Sequence, residues 1–164
     1  MIGFLNSYKQ TRYNVMSELN DLVKSGKYSR VLFAGHSQGG AVAVLAALEF
    51  SMKHPSWRHK IGLITFGQPR VGNSVFTASL NAYVVDFVRF VNVFQPKLLG
   101  LPISQKEDLV CTVPPKTFGY VHAGTKIDLD CTASTRIACH DMGEYKMGMN
   151  VYFAGKNGDA TIPK

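Results

Sequence analysis

One segment of the chain restricts the fold more than any other, because a short apolar run, a glycine-rich turn and a long apolar run follow one another without a break. Val31 to Ala34 carries apolar side chains at consecutive positions, which is typical of a strand buried on both faces in the middle of a parallel sheet. Gly39 to Lys53 is apolar almost all round, which predicts a helix packed inside the protein. A buried strand that leads directly into a buried helix predicts an α/β fold with a mostly parallel sheet flanked by helices.

The other patterns continue this alternation of strands and helices. Apolar residues recur at three- and four-residue steps between Leu5 and Val23, which predicts a first helix that ends before Gly26. Four further elements are predicted: a strand from Lys60 to Phe66, a helix from Asn73 to Tyr83 capped by Asn73, and strands from Phe87 to Phe94 and from Phe118 to Leu129. Gln95 to Pro115 predicts a long loop. Because no repeat or linker interrupts the chain, we expect residues 1–164 to form one domain.

Length and cysteine content predict a core that needs no metal or disulfide. A chain of 164 residues with 46% hydrophobic residues can bury roughly 70% of its extended surface. The three cysteines lack the paired spacing of a structural zinc site, so we expect no such metal site. Cys131 and Cys139 could pair in an oxidising compartment and leave Cys111 free, although three unpaired, inert thiols are the simpler interpretation.

The charge of the chain bears on its partners. The formal net charge is +7, but the basic residues are scattered singly, without a dense run or a nucleic-acid-binding motif. We therefore expect no nucleic acid partner, and we keep an anionic membrane or lipid-droplet surface as an alternative partner. No apolar stretch reaches the roughly 20 residues of a transmembrane helix, and the first residues lack a signal-peptide pattern. The chain as given is expected in the cytoplasm, with secretion as the alternative if a signal segment lies upstream.

A serine lies in the turn between the buried strand and the buried helix. Gly35-His36-Ser37-Gln38-Gly39 fits the pattern G-x-S-x-G, and the strand, the turn and the helix occur in the order that a nucleophile elbow requires. The amino end of the helix would direct unpaired N–H groups and its positive dipole end at the serine oxygen. The alternative is a glycine-rich turn that holds an ordinary capping serine.

With its flanking segments, this motif resembles the class 3 (fungal-type) lipase family of the α/β-hydrolase superfamily. The matching segments, in the order of the family, are Gly3-Phe4-Leu5-Asn6-Ser7-Tyr8, Gly35-His36-Ser37-Gln38-Gly39-Gly40-Ala41, Thr65-Phe66-Gly67-Gln68-Pro69-Arg70-Val71-Gly72-Asn73, Arg89-Phe90-Val91-Asn92, Pro114-Pro115 and Gly119-Tyr120-Val121-His122. The resemblance implies hydrolysis of carboxylic esters, often those of lipids, by a Ser, His and Asp triad without a cofactor. It implies that Ser37 is the nucleophile.

The base and the carboxylate of the triad each have a candidate residue in this sequence. His140 is our candidate base, because it follows the last predicted strand and resembles the family's histidine followed by an aromatic residue, here Tyr145. His122 is the second candidate, although we interpret it as structural; His36 is expected to point away from the reaction. Asp108 is the candidate carboxylate, because it begins a segment similar to the family's Asp-x-Val-Pro-x-x-Pro-Pro.

Two departures from the family qualify these assignments. Phe94 to Glu107 forms an apparent insertion before Asp108, and an ordinary solvated aspartate is the alternative there. The family's domain normally begins well before Gly3, with a lid helix and a loop that supplies one oxyanion donor, so we expect a truncated domain. The backbone N–H of Gln38 would be the remaining donor. A lipase-type ester hydrolase is the first hypothesis, and a weakly active or inactive protein that binds lipid or a partner is the second.

Overall fold

The chain folds around a mostly parallel β-sheet, as the sequence predicts. The structure is a computed structural model that describes residues 2–95, 97–98, 101–102 and 106–155. Its helices are α1 (Ile2–Lys24), α2 (Ser37–Lys53), α3 (Ser74–Tyr83) and α4 (Met142–Ala154). Its strands are β1 (Val31–His36), β2 (Ile61–Phe66), β3 (Gly72–Asn73), β4 (Asp86–Phe94), β5 (Lys97–Leu98), β6 (Leu101–Pro102), β7 (Lys106–Glu107), β8 (Tyr120–Val121) and β9 (Thr125–Cys131).

Four parallel strands of the main sheet lie in the order β1, β2, β4 and β9. Helices α1, α2 and α3 cover one face, where Phe33, Leu63 and Phe87 contribute to the larger apolar cluster. Helix α4 covers the other face, where Phe90 and Tyr145 belong to a smaller cluster. Because the strands are parallel, their carboxyl ends lie along one edge, where α/β proteins place their ligand sites.

Most of the predicted elements are confirmed within one or two residues. The first helix ends at Lys24 before Gly26, whose φ of +68° suits glycine. Asn73 caps α3 by accepting a hydrogen bond from the backbone N–H of Phe76 at 3.0 Å. No helix among the described residues is long and apolar enough to span a bilayer.

The prediction that β1 is buried on both faces is wrong. Among the described strands β1 pairs with β2 alone, so it is an edge strand, and Leu32 keeps 55% of its surface exposed. The apolar run shows the propensity of the segment for a buried strand, but burial depends on neighbours that the local pattern does not specify.

Three other predictions differ from the structure. The strand predicted from Phe118 to Leu129 divides into β8 and β9 around Gly124, which has a φ of +74°. The predicted loop from Gln95 to Pro115 contains β5, β6 and β7, while its residues 96, 99–100 and 103–105 lie outside the described residues. Helix α4 was not predicted, because two glycines and a scattered apolar pattern hide its helical periodicity.

Candidate active site

The serine motif forms a tight turn between β1 and α2. Ser37 has a φ of +55°, the one positive φ at a non-glycine residue among the described positions. This conformation is sparsely populated by L-residues and costs about 1–2 kcal/mol, so the surrounding structure must impose it. The turn leaves Ser37 at the carboxyl end of β1 and at the amino end of α2.

Close packing of the backbone explains the first glycine of the motif, Gly35, and the glycine that follows the motif, Gly40. A Cβ on Gly35 would lie 2.4 Å from the carbonyl oxygen of Gly39, and one on Gly40 would lie 3.0 Å from the carbonyl oxygen of Gly35. A Cβ on Gly39 itself would meet no atom within 4 Å. The strand therefore crosses the start of the helix at Gly35 and Gly40, whereas Gly39 contributes its backbone to the contact.

The imidazole of His140 lies between Ser37 and Asp108. Its Nε2 is 2.8 Å from the Ser37 Oγ, and its Nδ1 is 2.6 Å from the Asp108 Oδ2. An ionised carboxylate only accepts hydrogen bonds, so Nδ1 carries the proton and the lone pair of Nε2 accepts from the serine hydroxyl. This is the arrangement in which a histidine can remove the proton of a serine and a buried carboxylate can orient the histidine.

The insertion before Asp108 returns the chain to the sheet. Strand β7 runs antiparallel to β4, with Glu107 opposite Val93, and lies on the side of β4 where β2 has already ended. The next residue, Asp108, donates its backbone N–H to the Asn92 carbonyl oxygen at 2.8 Å and is fully buried. The pairing of β7 with β4 therefore places Asp108 at the carboxyl edge of the sheet, next to β4.

Two side chains, those of Arg70 and His122, hold the segment that follows Asp108. Arg70 donates to the carbonyl oxygens of Thr112 and Pro114, and the Pro114 distance is 2.7 Å. The Nε2–H of His122 donates to the Cys111 carbonyl oxygen at 2.8 Å. Burial, followed by the charge of Arg89, lowers the pKa of His122 to about 4, so its ring is neutral at physiological pH. The side chain of His122 thus holds the segment after Asp108 in place and does not contact Ser37.

His36 lies closer to His140 than the sequence suggests. Its Nε2 is 2.8 Å from the His140 carbonyl oxygen, and the two rings are 4.6 Å apart. Since a carbonyl oxygen only accepts, Nε2 of His36 is the donor. The expectation that His36 points away from the site is therefore wrong: its ring packs against the ring of His140 and helps to hold it.

Gln38 stands at the position predicted for an oxyanion donor. It is the second residue of α2, within the first helical turn, where backbone N–H groups lack partners inside the helix. Its side-chain Nε2 donates to the Ser7 Oγ at 2.8 Å and so links α2 to α1. The amino end of the helix, with its positive dipole, faces the region next to Ser37 where the oxygen of an attacked carbonyl group would lie.

The cysteines near the site differ in state. A disulfide joins Cys131, at the end of β9, to Cys139, the residue before His140, so the pairing that the sequence left as the less simple interpretation is the one found. Cys111 is unpaired and buried, and burial, together with the Asp108 charge, raises the pKa of its thiol to about 12. Within the described part of the chain, no three His, Cys, Asp or Glu side chains converge as metal ligands would.

Sequence reasoning missed two residues that contact the site. Tyr145, on α4, donates its hydroxyl to the Asp108 Oδ2 at 2.8 Å. Asn92, at the carboxyl end of β4, donates its side-chain amide to the Cys139 carbonyl oxygen at 2.7 Å. Both lie inside segments that carry the family resemblance. Tyr145 is the aromatic residue after the histidine, and Asn92 ends Arg89-Phe90-Val91-Asn92. Neither pattern indicates that these side chains contact Asp108 or the turn before His140.

A parallel sheet with a Ser, His and Asp cluster at its carboxyl edge is the arrangement of proteins with the α/β-hydrolase fold. The sequence model of class 3 lipases matches residues 1–96, which is more than half of the chain. This protein belongs to the class 3 lipase family.

Individual relatives agree with this assignment. The chain is 31% identical over 125 residues to a lipase of Rhizopus niveus, covering 76% of the chain and 29% of that relative. It is 37% identical over 145 residues to a secreted mono- and diacylglycerol lipase of Gibberella zeae, covering 84% of the chain and 34% of that relative. The solved lipase–propeptide complex of Rhizomucor miehei superposes with a TM-score of 0.66 at 30% identity, covering 81% of this chain and 38% of that one. The chain therefore spans about a third of the length of these relatives.

Proposed function

We propose that this protein hydrolyses carboxylic esters of lipids through an acyl-enzyme intermediate. The observation that carries the proposal is the position of the His140 imidazole, hydrogen-bonded to the Ser37 Oγ at 2.8 Å and to the Asp108 Oδ2 at 2.6 Å. The names of the relatives support the substrate class, since they are lipases and a mono- and diacylglycerol lipase. A solved neighbour with a TM-score of 0.66 and 30% identity is described as a triacylglycerol lipase whose catalytic centre is a serine protease triad.

In the proposed reaction, the Ser37 oxygen attacks the acyl carbonyl carbon while its proton moves to the His140 Nε2. The carbonyl oxygen becomes an oxyanion, which the Gln38 N–H and the amino end of α2 stabilise. The ester C–O bond then breaks, and His140 donates the proton to the departing alcohol oxygen. Water attacks the acyl-enzyme, gives one proton to His140 and releases the acid, after which the proton returns to Ser37. Throughout, Asp108 holds the Nδ1–H and stabilises the imidazolium.

The direct test is hydrolysis of p-nitrophenyl butyrate and of a longer p-nitrophenyl ester by the wild type and by Ser37→Ala. The hydrolysis rate of Ser37→Ala should fall by about 10⁴-fold or more, because the variant lacks the attacking oxygen. Ser79→Ala is the matched control: this exposed serine of α3 donates to the Val75 carbonyl oxygen and makes no contact with the triad. Equal rates for the wild type and Ser37→Ala would refute the proposal. Lipid binding without hydrolysis, unchanged in Ser37→Ala, would favour the inactive binding protein instead.

An anionic lipid surface is the second partner that we propose. The basic residues that are scattered in the sequence come together at the amino end of the sheet: Arg30 precedes β1 and Lys60 precedes β2, whose first residues, Val31 and Ile61, are partners in the sheet. This end also carries Lys24 and Lys53 in the last turns of α1 and α2, together with the exposed Lys27 and His59. Two of these cations have acidic partners, because Asp86 pairs with Arg30 and Glu49 pairs with Lys53 at 2.7 Å.

The position of these cations limits what the attraction can do. A six-residue strand is about 20 Å long, so the basic end lies about 20 Å from Ser37. Attraction would therefore concentrate the protein at an anionic surface without pressing the serine onto it. Sedimentation with phosphatidylglycerol vesicles should be strong at low salt and weak with phosphatidylcholine alone.

Charge reversal tests which cations are responsible. Lys27→Glu with Lys60→Glu should bind phosphatidylglycerol vesicles about 30-fold or more weakly, because each lost cation removes about 1 kcal/mol. Lys9→Glu, an exposed lysine in the first half of α1, is the single-site control and should lose less. Equal binding to both kinds of vesicle would refute this partner.

A further inference from the structure

The buried carboxylate of Asp108 receives more hydrogen bonds than the triad requires. Its Oδ1 accepts from the backbone N–H of Val110 at 2.9 Å. Its Oδ2 accepts from His140 at 2.6 Å and from the Tyr145 hydroxyl at 2.8 Å. The side chain of Asp108 is fully buried, so the direction of its Oδ2 depends on these protein partners and not on bulk water.

The direction of the tyrosine hydrogen bond is determined by a third group. The Tyr145 oxygen lies 3.2 Å from the backbone nitrogen of Asn92, and an amide N–H can only donate. The tyrosine oxygen must therefore accept from Asn92, and its one proton goes to the Asp108 carboxylate at 2.8 Å, which is a much closer and stronger acceptor than the Cys111 Sγ at 3.9 Å. Tyr145 is itself fully buried, and burial, followed by the ionisable neighbours Cys111 and Asp108, raises its pKa, so the hydroxyl keeps its proton at any physiological pH.

Asn92 connects this hydrogen bond to the other two residues of the cluster, Asp108 and His140. Its carbonyl oxygen accepts from the Asp108 N–H at 2.8 Å, and its side-chain amide donates to the carbonyl oxygen of Cys139, next to His140, at 2.7 Å. One residue at the end of β4 thus positions the tyrosine, the aspartate and the turn that carries the histidine. A rotation of the Asp108 carboxylate would break the hydrogen bond with Tyr145 and displace Oδ2 from His140.

We propose that Tyr145, oriented by Asn92, is a positioning residue that fixes the Asp108 carboxylate toward His140 and thereby keeps the proton of His140 on Nδ1. The inference rests on the proposed function for its effect on rate, but its structural content is independent of any reaction. Without the tyrosine hydroxyl, the carboxylate loses one of two donors on Oδ2 and gains freedom to rotate. His140 would then populate the tautomer that carries the proton on Nε2, which cannot accept the proton of Ser37.

The test compares Tyr145→Phe with Tyr8→Phe. Tyr8 is a matched control, because it is also buried and its hydroxyl donates to a carboxylate, that of Glu49, at 2.6 Å, but it lies on α1, on the opposite face of the sheet from α4. Nitrogen-15 NMR of the histidine rings reports the tautomer of His140 in the resting protein, and kinetics with p-nitrophenyl butyrate report kcat and KM separately.

For Tyr145→Phe we expect a mixture of His140 tautomers and a kcat lower by about ten- to a hundredfold, with KM unchanged. Tyr8→Phe should retain the Nδ1–H tautomer and the kcat of the wild type. A His140 tautomer unchanged in Tyr145→Phe would overturn the inference, whether or not kcat falls, since a fall alone would then reflect structure only. If the wild type hydrolyses no ester, the proposed function fails, while the NMR comparison still decides the role of Tyr145.

Discussion

Gly67 offers a sharp test of the site because it lies against both partners of the central hydrogen bond. It follows β2 with a φ of +57°, and a Cβ at this position would lie 2.9 Å from the Asp108 Oδ2 and 2.9 Å from the His140 Nδ1. Gly67→Ala would therefore place a methyl group beside the bond that joins the carboxylate to the imidazole. No flexible side-chain end can turn away, since both contacts are with atoms of the triad.

The expected effect follows from these distances. Ordinary contact between non-bonded heavy atoms requires about 3.5–4.0 Å, so the neighbours must move by about 0.6–1.1 Å. Unless both groups move together, the 2.6 Å hydrogen bond then exceeds the limit of about 3.2 Å. A displacement of this size costs about 10²-fold in kcat, and loss of the histidine orientation costs up to about 10⁴-fold. The positive φ adds about 1–2 kcal/mol of destabilisation, or about 2–8 °C in Tm.

Gly119→Ala separates the two effects. Gly119 has a φ of +78°, but a Cβ there would meet no atom within 4 Å. It should therefore lose a similar amount of stability while retaining the wild-type kcat. Thermal unfolding and p-nitrophenyl butyrate hydrolysis, normalised to folded protein, measure both quantities. A Gly67→Ala variant with the kcat of Gly119→Ala would refute the reasoning.

Three further predictions concern stability. In the unfolded chain His122 takes up a proton below about pH 6.5, but in the folded protein only below about pH 4, so the free energy of unfolding should fall as the pH drops through this window, by at most about 1.4 kcal/mol per unit. Urea titrations at pH 7 and pH 5 should show a smaller difference in His122→Gln. Replacing Cys131 and Cys139 by serine should lower the free energy of unfolding by about 2.5 kcal/mol, because the disulfide spans eight positions, and reductant should reproduce the loss in the wild type. Gly35→Ala should yield no folded protein by circular dichroism, since its Cβ would lie 2.4 Å from the backbone oxygen of Gly39.

The parts of the fold that the sequence predicted are those whose signal is local. The apolar helix α2, strand β2 and the Asn73 cap each depend on residues within one or two turns of each other, and the structure confirms them. The burial of β1 could not be read from its own residues, because it depends on which strands lie beside it. Helix α4 could not be predicted from its own residues, because its stability comes from packing on β4 and β9 and not from a clear apolar stripe.

The candidate site shows the same division. Ser37 stands out because the turn requires particular residues at fixed spacing, and His140 and Asp108 were chosen by resemblance and by their place after strands. The hydrogen bonds of His36 and Tyr145 join residues 104 and 37 positions apart, and no spacing rule connects such positions. The return of the chain to β4 before Asp108 is likewise a tertiary feature, since strand pairing between Val93 and Glu107 defines it.

The most direct measurement of the central claim is the rate and position of labelling by a fluorophosphonate, which reacts with serines activated as nucleophiles. Peptide mass spectrometry should find the adduct on Ser37 in the wild type and in His122→Gln, and labelling in His140→Gln should be slower by about 10³-fold or more. The two histidine variants are matched, because each removes an imidazole whose Nε2 makes a hydrogen bond near Asp108. The Nε2 of His122 bonds to the Cys111 carbonyl oxygen, whereas that of His140 bonds to the Ser37 Oγ. Labelling of Ser37 at the wild-type rate in His140→Gln, or an adduct on another serine, would contradict the claim that His140 activates Ser37.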